Sequence, residues 1–179
     1  MKVYLCDADG DEFRGIYLTP IGKGYDFFRR FQGAPMKNSW TSKEKFKFVP
    51  RKLPKGDTPS LHATVPVFNS KAVKALGDLL KSRGELLPIT CQGEPLFLFN
   101  VTRLIEALDE ENCELERFDD GRILDIDRHA FFSHKLIGET IFKLRQDPLG
   151  WAYVTDPFVE RVKSAGLKGF KFPPVWSGD

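Results

Sequence analysis

The side chains able to do chemistry in this 179-residue chain are three histidines, three cysteines and a dense run of carboxylates. His129 and His134 stand five residues apart, with Phe131 and Phe132 between them. A pair gripping a metal from one helix face needs a spacing of four, as in HExxH, so these two do not form one. With an acid beside it, either could serve a general acid–base enzyme. His62 stands alone. Cys6, Cys91 and Cys113 are odd in number and show no CxxC spacing, which argues against a disulfide framework and a zinc site. They read as free thiols in a reducing compartment. Asp7, Asp9 and Asp11 mimic the opening of a calcium loop. Glu12 and Leu18, however, occupy the positions where such a loop needs glycine and glutamate. There is no GxSxG elbow, no GxGxxG and no phosphate loop, and Gly22-Lys23-Gly24 carries none of the rest. The sequence therefore predicts no catalytic set, no metal and no cofactor.

Charge is more informative. The formal net charge of +2 conceals two opposed segments. Residues 37–55 carry seven Lys and Arg against Glu44 alone, and residues 106–127 carry ten Asp and Glu against Arg117 and Arg122. Fields of this size steer oppositely charged partners. Two arrangements need no partner: both segments are solvated surface, or they face each other within the fold. The acidic segment suits a protein that covers a basic surface, such as the one a nuclease toxin presents to nucleic acid. Glu110, Glu111, Glu114, Glu116, Asp119 and Asp120 are the expected contacts. The basic segment offers a second function, nucleic-acid binding by Lys43, Lys45, Lys47, Arg51 and Lys52 with Trp40, Phe46 and Phe48 as stacking rings. Its plainer reading is an edge strand with phenylalanine inside and lysine outside.

The elements that must position these groups follow from pattern and punctuation. With 41% hydrophobic and 29% charged residues, the composition is that of a globular chain, long enough for one core without staples. A single domain over residues 1–179 is expected, with residues 1–40 the hardest part to place. No apolar run is long enough to span a membrane, and the acid at Asp7 interrupts any signal-peptide core, so a cytoplasmic location is expected. Val3 to Cys6 reads as a strand that turns at Asp7–Asp11 and returns over Phe13 to Leu18. Phe46-Lys47-Phe48 alternates like a strand. Pro50, Pro54, Gly56 and Pro59 mark a loop. Ser70 caps a helix carrying Val73, Leu76 and Leu80, which Gly84 ends. Leu86 to Thr90 and Leu96 to Phe99 form a hairpin about Gln92-Gly93-Glu94, with Pro88 marking an edge or an irregularity. Asn100 caps a second helix through Leu108. Cys113 to Phe118 and Arg122 to Ile126 flank Asp119-Asp120-Gly121 as another hairpin. Strands follow at Thr140–Leu144 and Tyr153-Val154. Asp156-Pro157 opens a third helix that Gly166 ends. Hairpins with about three helices between them predict an α+β fold with an antiparallel or mixed sheet.

Several motifs also resemble a known family. They are Gly56-Asp57-Thr58-Pro59-Ser60-Leu61, Ser70-Lys71-Ala72-Val73, Gly84-Glu85-Leu86-Leu87-Pro88 and Leu108-Asp109. Phe131, Phe142 and Phe158 follow, then Gly166-Leu167-Lys168-Gly169-Phe170 and Trp176. Their order and spacing over residues 40–177 are similar to immunity protein family 11 of bacterial polymorphic toxin systems, formerly a domain of unknown function. The resemblance implies a small cytoplasmic protein, not an enzyme, that protects its producer by binding a cognate toxin encoded beside it. It transfers no binding residue, because the matched positions read as scaffold.

Overall fold

The structure is a computed structural model and describes residues 1–20 and 24–178. Gly22 and Lys23 lie outside the described residues. Two five-stranded mixed sheets carry the α+β fold. The first contains β3 (Ile16–Thr19), β4 (Lys45–Phe48), β5 (Val67–Asn69), β6 (Gly84–Cys91) and β7 (Glu94–Val101), ordered β3-β4-β6-β7-β5. The second contains β1 (Lys2–Leu5), β8 (Leu104–Ile105), β11 (Ile141–Leu144), β12 (Tyr153–Thr155) and β14 (Pro174–Ser177), ordered β14-β1-β12-β11-β8. β4 with β6 and β8 with β11 are the parallel pairs. Two small antiparallel ribbons complete the strands: β2 (Asp7–Ala8) with β13 (Phe170–Lys171), and β9 (Glu114–Arg117) with β10 (Ile123–Arg128).

Helices α2 (Ser70–Leu80) and α3 (Asp156–Ser164) close the seam between the sheets. Ala72, Leu76 and Leu80 of α2, and Phe158, Val159 and Val162 of α3, form one cluster with Phe68 and Phe99 of the first sheet and Ile141 and Val154 of the second. A short helix α1 (Gly24–Phe28) carries Phe27 onto the first sheet, where Phe31, Phe46 and Leu98 meet it. A third cluster lies between the second sheet and the β9–β10 hairpin, built from Val3, Phe142, Leu144 and Tyr153 against Ile123, Ile126 and Phe131. Each large apolar side chain buried this way contributes about 1.5–3 kcal/mol.

The two predicted hairpins form. β6 and β7 pair from Gly84–Val101 to Cys91–Glu94 around Gln92 and Gly93, and β9 pairs β10 across Asp119-Asp120-Gly121. Four expectations need correction. Phe13 to Leu18 does not return along β1. The Phe13 N–H closes a turn on the Asp9 carbonyl, and β3 joins the other sheet against β4, while β1 pairs with β12 and β14. Asn100 caps no helix: β7 runs on to Val101, and the N–H groups of Thr102 and Arg103 both donate to the Arg83 carbonyl, turning the chain into β8. Asn100 itself is fully buried, its amide donating to the carbonyl of Ala34 and the carboxylate of Glu85. The cap of α2 is Asn69, which accepts from the Ala72 N–H at 2.9 Å, and Gly84 opens β6 instead of ending the helix. Asp156 and Pro157 open α3 as expected, with Thr155 as the cap residue, and the Asp156 carboxylate accepts from the Lys2 N–H and the Tyr4 hydroxyl.

The Pro50–Ser60 loop has a buried anchor. Asp57 accepts from the Lys168 N–H at 2.7 Å, the Asn69 amide at 2.9 Å and Lys71 at 3.2 Å, tying the loop to the start of α2 and the end of α3. Burial alone would raise its pKa, but these donors outweigh it and hold the carboxyl below its ordinary value. A carboxyl lowered by folding stabilises above its unfolded pKa, and this contribution fades as pH falls through the lower folded value. Asp57→Ala is therefore expected to cost about 2–4 kcal/mol at pH 7, because it also strands the Lys168 and Asn69 donors. Urea titrations at pH 7 and below pH 4 measure this, and the gap between parent and variant should narrow at the acid end.

Candidate interaction site: the acidic hairpin and the cleft at its foot

The β9–β10 hairpin is held by its face. Ile123 and Ile126 are buried against the second sheet, with Leu115 and Cys113 packed beside them. Among the described residues its strands pair only with each other. The register of β10 shifts twice, between Ile123 and Asp125 and between Ile126 and Arg128. Such bulges twist a strand and leave residues unpaired. Gly121 takes a φ of +84° at the turn, a region other side chains rarely enter.

The six predicted contact residues, Glu110, Glu111, Glu114, Glu116, Asp119 and Asp120, are all exposed on this hairpin and the turn before it. They divide into two groups. Glu110 bonds Arg117 at 2.5 Å, Glu114 bonds Arg128 at 2.8 Å and Asp120 bonds Arg122 at 2.8 Å. Glu111, Glu116 and Asp119 take part in no ion pair among the described residues, and neither do Asp109, Asp125 and Asp127. The field of the segment is thus weaker than its formal count suggests, but it remains acidic. Phe118 and Leu124 are 45% and 51% exposed among these acids. The Arg122 guanidinium lies over the Phe118 ring.

No ion pair among the described residues joins the basic segment to the acidic one. Lys43, Lys45, Lys47, Arg51 and Lys52 are exposed, as the sequence predicts. The stacking rings proposed to accompany them are occupied. Phe46 is 3% exposed, Trp40 donates its indole N–H to the Pro88 carbonyl under Arg30, and Lys55 lies over Phe48. Phenylalanine inside and lysine outside is the arrangement observed on β4.

Below the hairpin lies a cleft of about 500 Å³. Its walls come from five stretches: Leu5, residues 63–64, residues 124–129, residues 147–153 and residues 174–175. Its polar groups are Asp125, Asp127, Arg128, His129, Asp147 and the Tyr153 hydroxyl, with Trp151 as its large aromatic. The structure separates the two histidines singled out by sequence. His134 is exposed on the turn after β10, whereas His129 faces this cleft in company with carboxylates. Its Nε2 lies 3.0 Å from the Tyr153 hydroxyl. Burial lowers the His129 pKa, with Asp125 pulling the other way, and burial raises that of Tyr153. Imidazole and phenol are therefore both neutral at pH 7 and spend their polar atoms on each other. The nearby Cys113 thiol is also raised, mainly by burial, so it is not an activated nucleophile. No group of three or more His, Cys, Asp and Glu among the described residues could hold a metal ion. No helix among them is long and apolar enough to cross a membrane.

This is an α+β protein with an acidic ribbon on which Phe118 and Leu124 are exposed. Residues 89–177, which contain that ribbon and most of the cleft, match the model of the immunity protein family Imm11. The match begins at Ile89, so the Gly56–Leu61, Ser70–Val73 and Gly84–Pro88 motifs fall outside it. No curated protein matches the chain.

Proposed function

We propose that this protein binds a cognate bacterial toxin and neutralises it by direct contact, with the β9–β10 hairpin as the contact face. The observation that carries this reading is the exposed pairing of acids with Phe118 and Leu124 on a ribbon inside the family-matched stretch. Glu110, Glu111, Glu114, Glu116, Asp119 and Asp120 border the toxin. Glu111, Glu116 and Asp119 supply most of the attraction, because no arginine neutralises them. Phe118 and Leu124 supply the apolar contact that long-range charge cannot. Blocking the toxin's active site or its substrate-binding surface suffices for protection, so the immunity protein itself turns nothing over.

The test is a Glu111→Lys, Glu116→Lys, Asp119→Lys triple variant. Association with the toxin encoded beside this gene is expected to slow about tenfold or more at low salt. The unfolding midpoint should stay within about 0.5 kcal/mol of the parent, since all three positions are exposed surface. A triple variant that binds at the parent rate and protects toxin-expressing cells equally well would mean that another face makes the contact.

A further inference from the structure

We infer that the cleft at the foot of the hairpin receives an arginine side chain of the bound partner, with Asp125, Asp127 and Asp147 as the receiving carboxylates and Trp151 as an aromatic wall. This rests on the partner-binding reading above and adds a specific anchor point to it.

The charge balance of the cleft points to a cation. Three carboxylates line it against one arginine, and that arginine, Arg128, is already bonded to Glu114 at 2.8 Å. Asp147 is the most buried of the three, and among the described residues only the backbone of Gly150 supports its carboxylate. It is partly buried, and no side chain among the described residues donates to its carboxylate. Lys143, its nearest cationic influence, spends its ammonium on the carbonyls of Phe31 at 2.8 Å and Pro148 at 3.2 Å. The Asp147 carboxylate lies directly against Gly150, where a Cβ would displace it. Burial also pushes the Asp147 carboxyl above its ordinary value, against the pull of Lys143. Holding such a group ionised costs free energy that an incoming cation returns.

Two features favour arginine over a metal ion or a lysine. The carboxylates are spread around a cleft of about 500 Å³ and do not converge on a point. A planar guanidinium bridges separated carboxylates and stacks on an indole, whereas an ammonium is a compact, strongly hydrated charge. The neutral His129–Tyr153 pair adds no competing positive charge to the wall.

The probes are the N-acetyl methylamides of arginine, lysine and citrulline, titrated into the ¹⁵N-labelled full chain. The Trp151 indole N–H is expected to shift saturably with the arginine compound and about tenfold more weakly, or not at all, with citrulline, its neutral isostere. Asp147→Asn is expected to weaken arginine binding about tenfold while leaving the thermal midpoint unchanged or higher, which a merely structural aspartate would not do. Asp125→Asn is the second variant and should weaken binding without touching the fold. Equal binding of citrulline, no saturable shift at Trp151, or undiminished arginine binding by both variants overturns the assignment. Toxin binding separates the two readings. Loss on the hairpin triple variant with retention by Asp147→Asn overturns the cleft and spares the hairpin; the opposite pattern supports the cleft and removes the hairpin.

Discussion

Replacing Glu139 with alanine is expected to lower the unfolding free energy by about 3–5 kcal/mol. The carboxylate is 5% exposed and takes charge-assisted bonds from two arginines: Arg83 at 2.7 Å, and Arg103 at 2.5 and 3.0 Å. Its carbonyl accepts from the Thr155 hydroxyl at 2.5 Å. Arg83 precedes β6 and Arg103 follows β7, both of the first sheet, while Thr155 ends β12 of the second. One residue thus ties the two sheets, its side chain to the arginines and its backbone carbonyl to Thr155, beside the ends of α2 and α3. Its removal leaves the partly buried Arg83 and the exposed Arg103 guanidinium facing each other without an anion. Glu139→Gln keeps the shape and should cost less than alanine. Urea unfolding of both variants measures the effect, and a loss below about 1 kcal/mol for alanine would show that the apolar seam alone holds the sheets.

The second large effect is in the alkaline range. Lys143 is fully buried, and burial brings its pKa down to about 8, with Asp147 opposing. The unfolded chain holds this proton to about pH 10.4. Between these values the unfolded state binds more protons than the folded one, so Lys143 makes the protein more stable as pH rises from about 8 to about 10.4. A shift of this size corresponds to about 3 kcal/mol. Lys143→Met removes the titration. The stability difference between parent and variant should therefore move by about 3 kcal/mol in the parent's favour across that interval. Parallel stability curves for the two proteins from pH 7 to pH 10.5 would mean that the two carbonyl bonds offset burial and hold the ammonium charged. The variant also frees the Pro148 carbonyl, in the loop that carries Asp147 and Trp151.

The sequence made the local elements readable where turn chemistry and periodicity agreed. Gln92-Gly93 and Asp120-Gly121 announced both hairpins, and Ala72, Leu76 and Leu80 announced α2. It misled where one apolar spacing fits two structures. Val101, Leu104, Ile105 and Leu108 sit at helical intervals, yet they lie on the end of β7, on β8 and on the bridge to Phe131, because Arg83 takes the backbone donors that a helix would have used. The exposed acids of the hairpin were legible from composition, but their arginine partners were not. Glu110–Arg117 and Glu114–Arg128 depend on the register of the ribbon. The cleft was illegible for a stronger reason: its walls come from stretches as far apart as Leu5 and Val175, and only the assembled sheets bring them together. Buried charges such as Lys143 and Glu139 give no local sign either, since burial is a property of the finished fold.

The hairpin grips the second sheet only through inward side chains and shares no strand ladder with it. Its outward positions can therefore be rewritten wholesale, provided Ile123 and Ile126 stay in place, without renegotiating a single backbone bond of the scaffold. On the proposed reading, such a ribbon changes its adversary by altering a handful of codons while the architecture stands still.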